Sequence, residues 1–187
     1  MIKKFLLGFV VICSFILTFC GITQARNIVV APHWQKSPIE VYIPNDDKKS
    51  ASMKRAFIKW QNLSSGKLVF KFVNEGPADI DVVFTDTEGG SSTPISSYSV
   101  TTQGEKITKS EIQIATKSPN IKKYSNDYIY TVMLHEVGHA LGLKSSTRKK
   151  TSIMYTPVSV EQDILKIDIR ELYSLNSWSY MDRNLLK

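Results

Sequence analysis

Ile39-Glu40-Val41-Tyr42-Ile43-Pro44 alternates apolar and polar positions at a period of two, which predicts a strand with one buried face. The period then changes. Over Asp46 to Asn62 the apolar residues Met53, Ala56, Phe57 and Trp60 recur at helical spacing, and Gly66 closes the unit. Leu68 to Val73 and Ile80 to Phe84 read as two further strands, parted by the turn cluster Asn74-Glu75-Gly76-Pro77. Gly89-Gly90-Ser91-Ser92 predicts a loop. Ser97 to Thr101 and Ile107 to Ile114 predict a strand pair around Gly104, placed at the edge of a sheet. A helix is expected from Asn126 or Asp127. A last helix is expected from Ser159, where Ser159 and Gln162 have capping-box spacing and Ile164, Ile167, Leu172 and Leu175 supply apolar positions. This order gives an α+β sandwich, one twisted sheet packed on helices.

The helix expected from Asn126 carries the chemistry. It contains His135-Glu136-Val137-Gly138-His139, and residues four apart stack on one helical face, so two imidazoles can reach one ion with Glu136 beside them. That is the arrangement of a zinc-dependent peptidase; a buried structural histidine pair is the alternative. Ile129, Met133, Val137, Ala140 and Leu141 fall on one broad side, which puts His135 and His139 off the core stripe. Gly142 stands three residues after His139, where a left-handed residue would turn the chain back toward the ion. With an ion present, Glu136 is the expected general base, and both histidines are ligands.

Four pieces arrive in a telling order: Ala56-Phe57-Ile58-Lys59-Trp60, Ala78-Asp79-Ile80-Asp81-Val82, His135 through Leu143, and Ser152-Ile153-Met154-Tyr155. Over roughly residues 37 to 176 the chain resembles the matrixins, zinc endopeptidases of the metzincin group. The resemblance implies a metzincin-like catalytic domain: a twisted, mostly parallel sheet with an antiparallel edge strand, packed on helices that include the motif helix and a C-terminal helix. It also implies Zn2+ on His135 and His139, Met154 as the floor of the site, a peptide or protein substrate paired to the edge strand near Ser97 to Thr101, and Tyr155 to Val158 in the pocket wall.

The extended metzincin motif ends in a third histidine, and Ser145 occupies that position here. The loop from Lys144 to Ser152 contains Lys144, Arg148, Lys149 and Lys150 but no His, Asp, Glu or Cys. Three donors are open for the third place: water or the Ser145 hydroxyl, favoured on ligand chemistry and reach; Glu161; and His33. Two functions follow. One is an endopeptidase; the other is a catalytically weak or inactive protease-like module that binds peptides or proteins. Calcium has candidate acids in or near loops, Asp79, Asp81, Asp86 and Glu88.

Composition adds the compartment. Lys3 and Lys4 precede an apolar run from Phe5 to Ile22, and Thr23-Gln24-Ala25 offers small residues for cleavage, so residues 1–25 are expected to be an export signal removed before Arg26. An uncleaved anchor is the competing reading of that run. Phe19 is too bulky for lipidation at Cys20. Cys13 and Cys20 both lie in this segment, which leaves residues 26–187 as a single domain without a disulfide, secreted or otherwise extracytoplasmic. Removing two lysines and no acid takes the net charge from +7 to +5. No basic run interleaves with aromatics, so nucleic acid is not an expected partner; a monomer acting on protein is.

Overall fold

The computed structural model describes residues 31–85, 96–115, 124–146 and 148–178. The expected export signal and the Gly89–Ser92 loop lie outside them. Five strands and three helices are seen among the described residues: β1 (Ile39–Tyr42), α1 (Asp47–Leu63), β2 (Phe70–Val73), β3 (Ile80–Thr85), β4 (Ser96–Gln103), β5 (Lys106–Ala115), α2 (Asn126–Ala140) and α3 (Lys166–Leu175). The chain is α+β, with one sheet in the order β2-β1-β3-β5-β4. All pairs are parallel except β4 with β5, so β4 is the antiparallel edge strand. The two residues between them include Gly104 at φ +60°, a backbone state that glycine adopts without steric cost.

The core forms between the sheet and α1 and α2. Ile39, Val41, Ile80, Val82, Ile112 and Ile114 come from alternate strand positions and meet Met53, Ala56, Phe57 and Trp60 of α1 and Met133, Val137 and Ala140 of α2. Two tryptophans fasten the motif helix. Trp60 Nε1 donates to the Leu134 carbonyl at 2.9 Å and Trp34 Nε1 to the Ala140 carbonyl at 2.8 Å, the latter being one of the terminal carbonyls that lack a helical donor. Ser125 caps the start of α2 by accepting from Tyr128 N at 3.2 Å.

Two expectations need correction. The last helix begins at Lys166, not Ser159. The Ser159/Gln162 spacing instead closes an irregular turn, in which Gln162 Oε1 accepts from Ser159 N while its Nε2 donates to the Tyr155 and Pro157 carbonyls. Asp168 caps the real helix, accepting from Leu165 N at 2.8 Å. The second concerns the motif side of α2, read as off the core: every residue from Thr131 to Ala140 is buried, and His135, Glu136 and His139 are only 4%, 5% and 3% exposed. A helix wheel separates the histidines from the apolar stripe but does not reveal that β4 and the segment around Met154 cover their side.

Candidate metal centre

Helix α2 ends in a Schellman turn: Gly142 N donates to the His139 carbonyl at 2.9 Å and Leu143 N to the Gly138 carbonyl at 3.1 Å, with Gly142 at φ +96°. The turn folds the chain back over the helix end. It brings the Leu143 carbonyl to His139 Nδ1 at 2.8 Å and the Ser145 hydroxyl to 3.4 Å from His139 Nε2. On the other side, the Ile153 carbonyl lies 2.6 Å from His135 Nδ1. A carbonyl can only accept, so both Nδ1 atoms carry the proton and both Nε2 atoms keep a lone pair.

Those two Nε2 atoms are 3.0 Å apart. Lone pairs facing each other at that distance repel unless a proton or cation lies between them. The separation is also less than twice the ~2.0–2.1 Å of a zinc–nitrogen bond, so one ion can reach both. The neighbouring carboxyl has a matching peculiarity. Glu136 Oε1 accepts from Ser96 Oγ at 2.6 Å, while Oε2 is buried with no hydrogen-bond partner. Burial raises the Glu136 pKa, against the Ser96 bond and the charge of His135, which lower it. Burial, then His135, pushes His139 down to about 4, opposed by its bond to Leu143. An unprotonated imidazole is the form that binds a metal.

Met154 sits beneath the helix. A Cβ on Gly138 would collide with Met154 Sδ and stand 3.1 Å from Trp60 Cζ2, so glycine at 138 is what lets the thioether press on the backbone. The Met154 segment is itself held: Ser152 Oγ donates to buried Asp168 at 2.5 Å, and Met154 N donates to Ser152 Oγ at 3.1 Å.

A matrixin peptidase model matches residues 33–175. The chain belongs to the matrixin family. The macrophage metalloelastase of Rattus norvegicus is 25% identical to this matrixin over 178 residues, 84% of the chain. The chain spans 36% of that relative's length.

In this matrixin two imidazoles and one hydroxyl converge beside the end of α2. Among the described residues no group of three His, Cys, Asp or Glu side chains is placed to share an ion. The backbone of His33 is tied to the start of β5 through Glu105 and Ile107 and its Nδ1 lies 3.2 Å from the Ala31 carbonyl, while Glu161 is exposed in the turn before α3. Of the calcium candidates, Asp79 binds Lys36 and Glu40 N, and Asp81 binds Lys109 and Ala78 N. Asp86 and Glu88 lie outside the described residues. Sequence reasoning missed Ser96 on the carboxyl, Tyr98 stacked on His139, and Asp168 and Gln162 behind the Met154 segment. Only the spacing of isoleucines in β5 carried a signal for the first two.

Proposed function

We propose that this matrixin is an exported zinc-dependent endopeptidase, with His135 and His139 as ligands, Glu136 as general base and Met154 as the apolar floor. The 3.0 Å convergence of two Nδ1-protonated imidazoles carries the reading. Zinc bound there supplies Lewis acidity, polarising the scissile carbonyl and easing proton loss from the attacking water. Glu136 Oε2, the oxygen that Ser96 leaves free, takes that proton and returns it to the leaving amine nitrogen. Burial of Glu136 strengthens it as a base. The substrate backbone pairs with the outer edge of β4, and Tyr155 to Val158, held by Gln162, wall the pocket beyond the cut bond.

A second reading is favoured by one observation, the Ser145 hydroxyl 3.4 Å from His139 Nε2 where a third imidazole is usual. A neutral hydroxyl is a poor zinc donor, and a chain that loads zinc weakly would act as a peptide- or protein-binding module with little turnover. Incubating the purified protein with unfolded casein and zinc separates the two. Zinc-dependent cleavage that drops ~100- to 10,000-fold in Glu136→Ala supports the peptidase. Equal turnover by both proteins refutes it, and peptide binding that survives chelation without cleavage supports the module. Export is tested on the protein recovered outside the cell, where Arg26 is the expected first residue.

A further inference from the structure

Strand β4 is held to the sheet on one side only, yet its inner face meets the motif helix at two polar points. Ser96, Tyr98 and Val100 share that face at the two-residue period. Val100 packs against the core. Ser96 Oγ bonds Glu136 Oε1 at 2.6 Å, and the Tyr98 ring lies flat on the His139 imidazole, with centroids 4.1 Å apart and planes 10° apart. Tyr98 remains 45% exposed, so its ring is not a core anchor, and the contact it makes is with the imidazole.

We propose that Ser96 and Tyr98 are positioning residues for the metal centre: Tyr98 fixes the plane of His139 and shields its face, while Ser96 engages one carboxylate oxygen of Glu136 and leaves the other open. Both contacts are needed because neither target is held fully by its own helix. His139 has one ring nitrogen tied to Leu143, which leaves rotation about that bond to be stopped by a flat neighbour. The Glu136 carboxyl has no hydrogen-bond partner except Ser96 among the described residues. The two contacts reach helix positions three apart from strand positions two apart, so strand and helix are pinned in register. The inference rests on the peptidase reading for its consequences, though not for its geometry.

The test uses the purified protein with Tyr98→Ala, Tyr98→Phe, Ser96→Ala and Ser96→Thr. Asn62→Ala, on the exposed side of α1 and away from β4, is the control. Three quantities are read: zinc affinity by competition with a chromophoric chelator, kcat and KM on a peptide, and the rate at which diethyl pyrocarbonate modifies His139 in chelated protein. Tyr98→Ala should weaken zinc about tenfold, the low end of the ~10–100-fold typical when a ligand's supporting partner is lost, and should hasten modification. Tyr98→Phe should do neither. Ser96→Ala should lower kcat about tenfold with KM and zinc affinity unchanged, and Ser96→Thr should restore it, as expected for loss of a charge-assisted hydrogen bond. Parent-like zinc affinity and modification rate in Tyr98→Ala, or parent-like kcat in Ser96→Ala, overturns the proposal. If the parent neither binds zinc nor cleaves, the peptidase reading fails and the modification rate alone decides: faster in Tyr98→Ala supports the clamp, equal rates overturn it.

Discussion

Replacing Gly142 by alanine isolates what the turn after the motif helix demands. At φ +96° an L-residue loses roughly 1–2 kcal/mol to the clash of its Cβ with its own backbone. The new Cβ would also lie 2.7 Å from the Pro32 carbonyl oxygen and 3.0 Å from Leu175 Cδ2. The first of these is main chain and cannot swing away, so an overpacking cost of about 1–3 kcal/mol is added. Stiffening the unfolded chain returns about 0.4–1 kcal/mol. The net expectation is a loss of about 1–5 kcal/mol, measured by urea unfolding of chelated protein. Gly66 supplies the comparison, because it has φ +80° with nothing within 4 Å of an added Cβ. Gly66→Ala should therefore cost only the backbone part. Gly142→Ala should also weaken zinc, since the same turn delivers the Leu143 carbonyl to His139. Equal losses in the two variants would refute the argument from close approach, whatever their size.

Two further predictions concern the imidazoles. Ser145→His should complete a three-nitrogen set, and a hundredfold gain in zinc affinity would raise stability at saturating zinc by about 2.7 kcal/mol, read as a larger zinc-dependent rise in Tm than the parent shows; an unchanged affinity would mean that another group already fills the third place. In chelated protein, stability should fall as pH drops from about 6.5 toward 4, because the unfolded chain then takes up a proton that His139, held near 4, refuses. The full loss is about 3 kcal/mol. Glu136 works in the opposite sense, since its raised pKa lets the folded chain bind a proton first, so Glu136→Gln should deepen the acid loss. Unfolding curves from pH 7.5 to 4 measure both, and a flat profile in Glu136→Gln would contradict the account.

Much of the architecture was legible because burial in this fold follows period. The alternation from Ile39, the helical spacing from Met53 to Trp60, and the edge position of the strand after Ser96 all appear as read. So does the return of the chain at Gly142. The start of the last helix was misplaced because Leu165 stands at its N-cap and has no side-chain acceptor, so only the Asp168 half of the cap exists, while the better-looking Ser159/Gln162 pair is used in a turn. A local signal was present at both places; packing chose between them.

The strand that covers the site is the more instructive failure. Ser96 to Gln103 is rich in Ser and Thr at both phases, so alternation within it cannot say which side chains turn inward. Its face is set by its partner. Counting back from the turn, where Gln103 pairs with Lys106 and Thr102 with Ile107, an unbroken ladder would place Ser97 opposite Ile112. The register shifts between Thr101 and Thr102, leaving Thr108 as the extra residue, and Tyr98 stands opposite Ile112 instead. A one-residue slip exchanges the two faces of a strand, so this bulge is what carries Ser96 to Glu136 and Tyr98 to His139 and turns Ser97 away. The clue lay in β5: the buried Ile107 and Ile112 are five apart, an odd interval that a regular strand with one buried face cannot have. Two apolar residues of opposite parity within one predicted strand mark a bulge between them, and that bulge decides which residues of the featureless neighbouring strand reach Glu136 and His139.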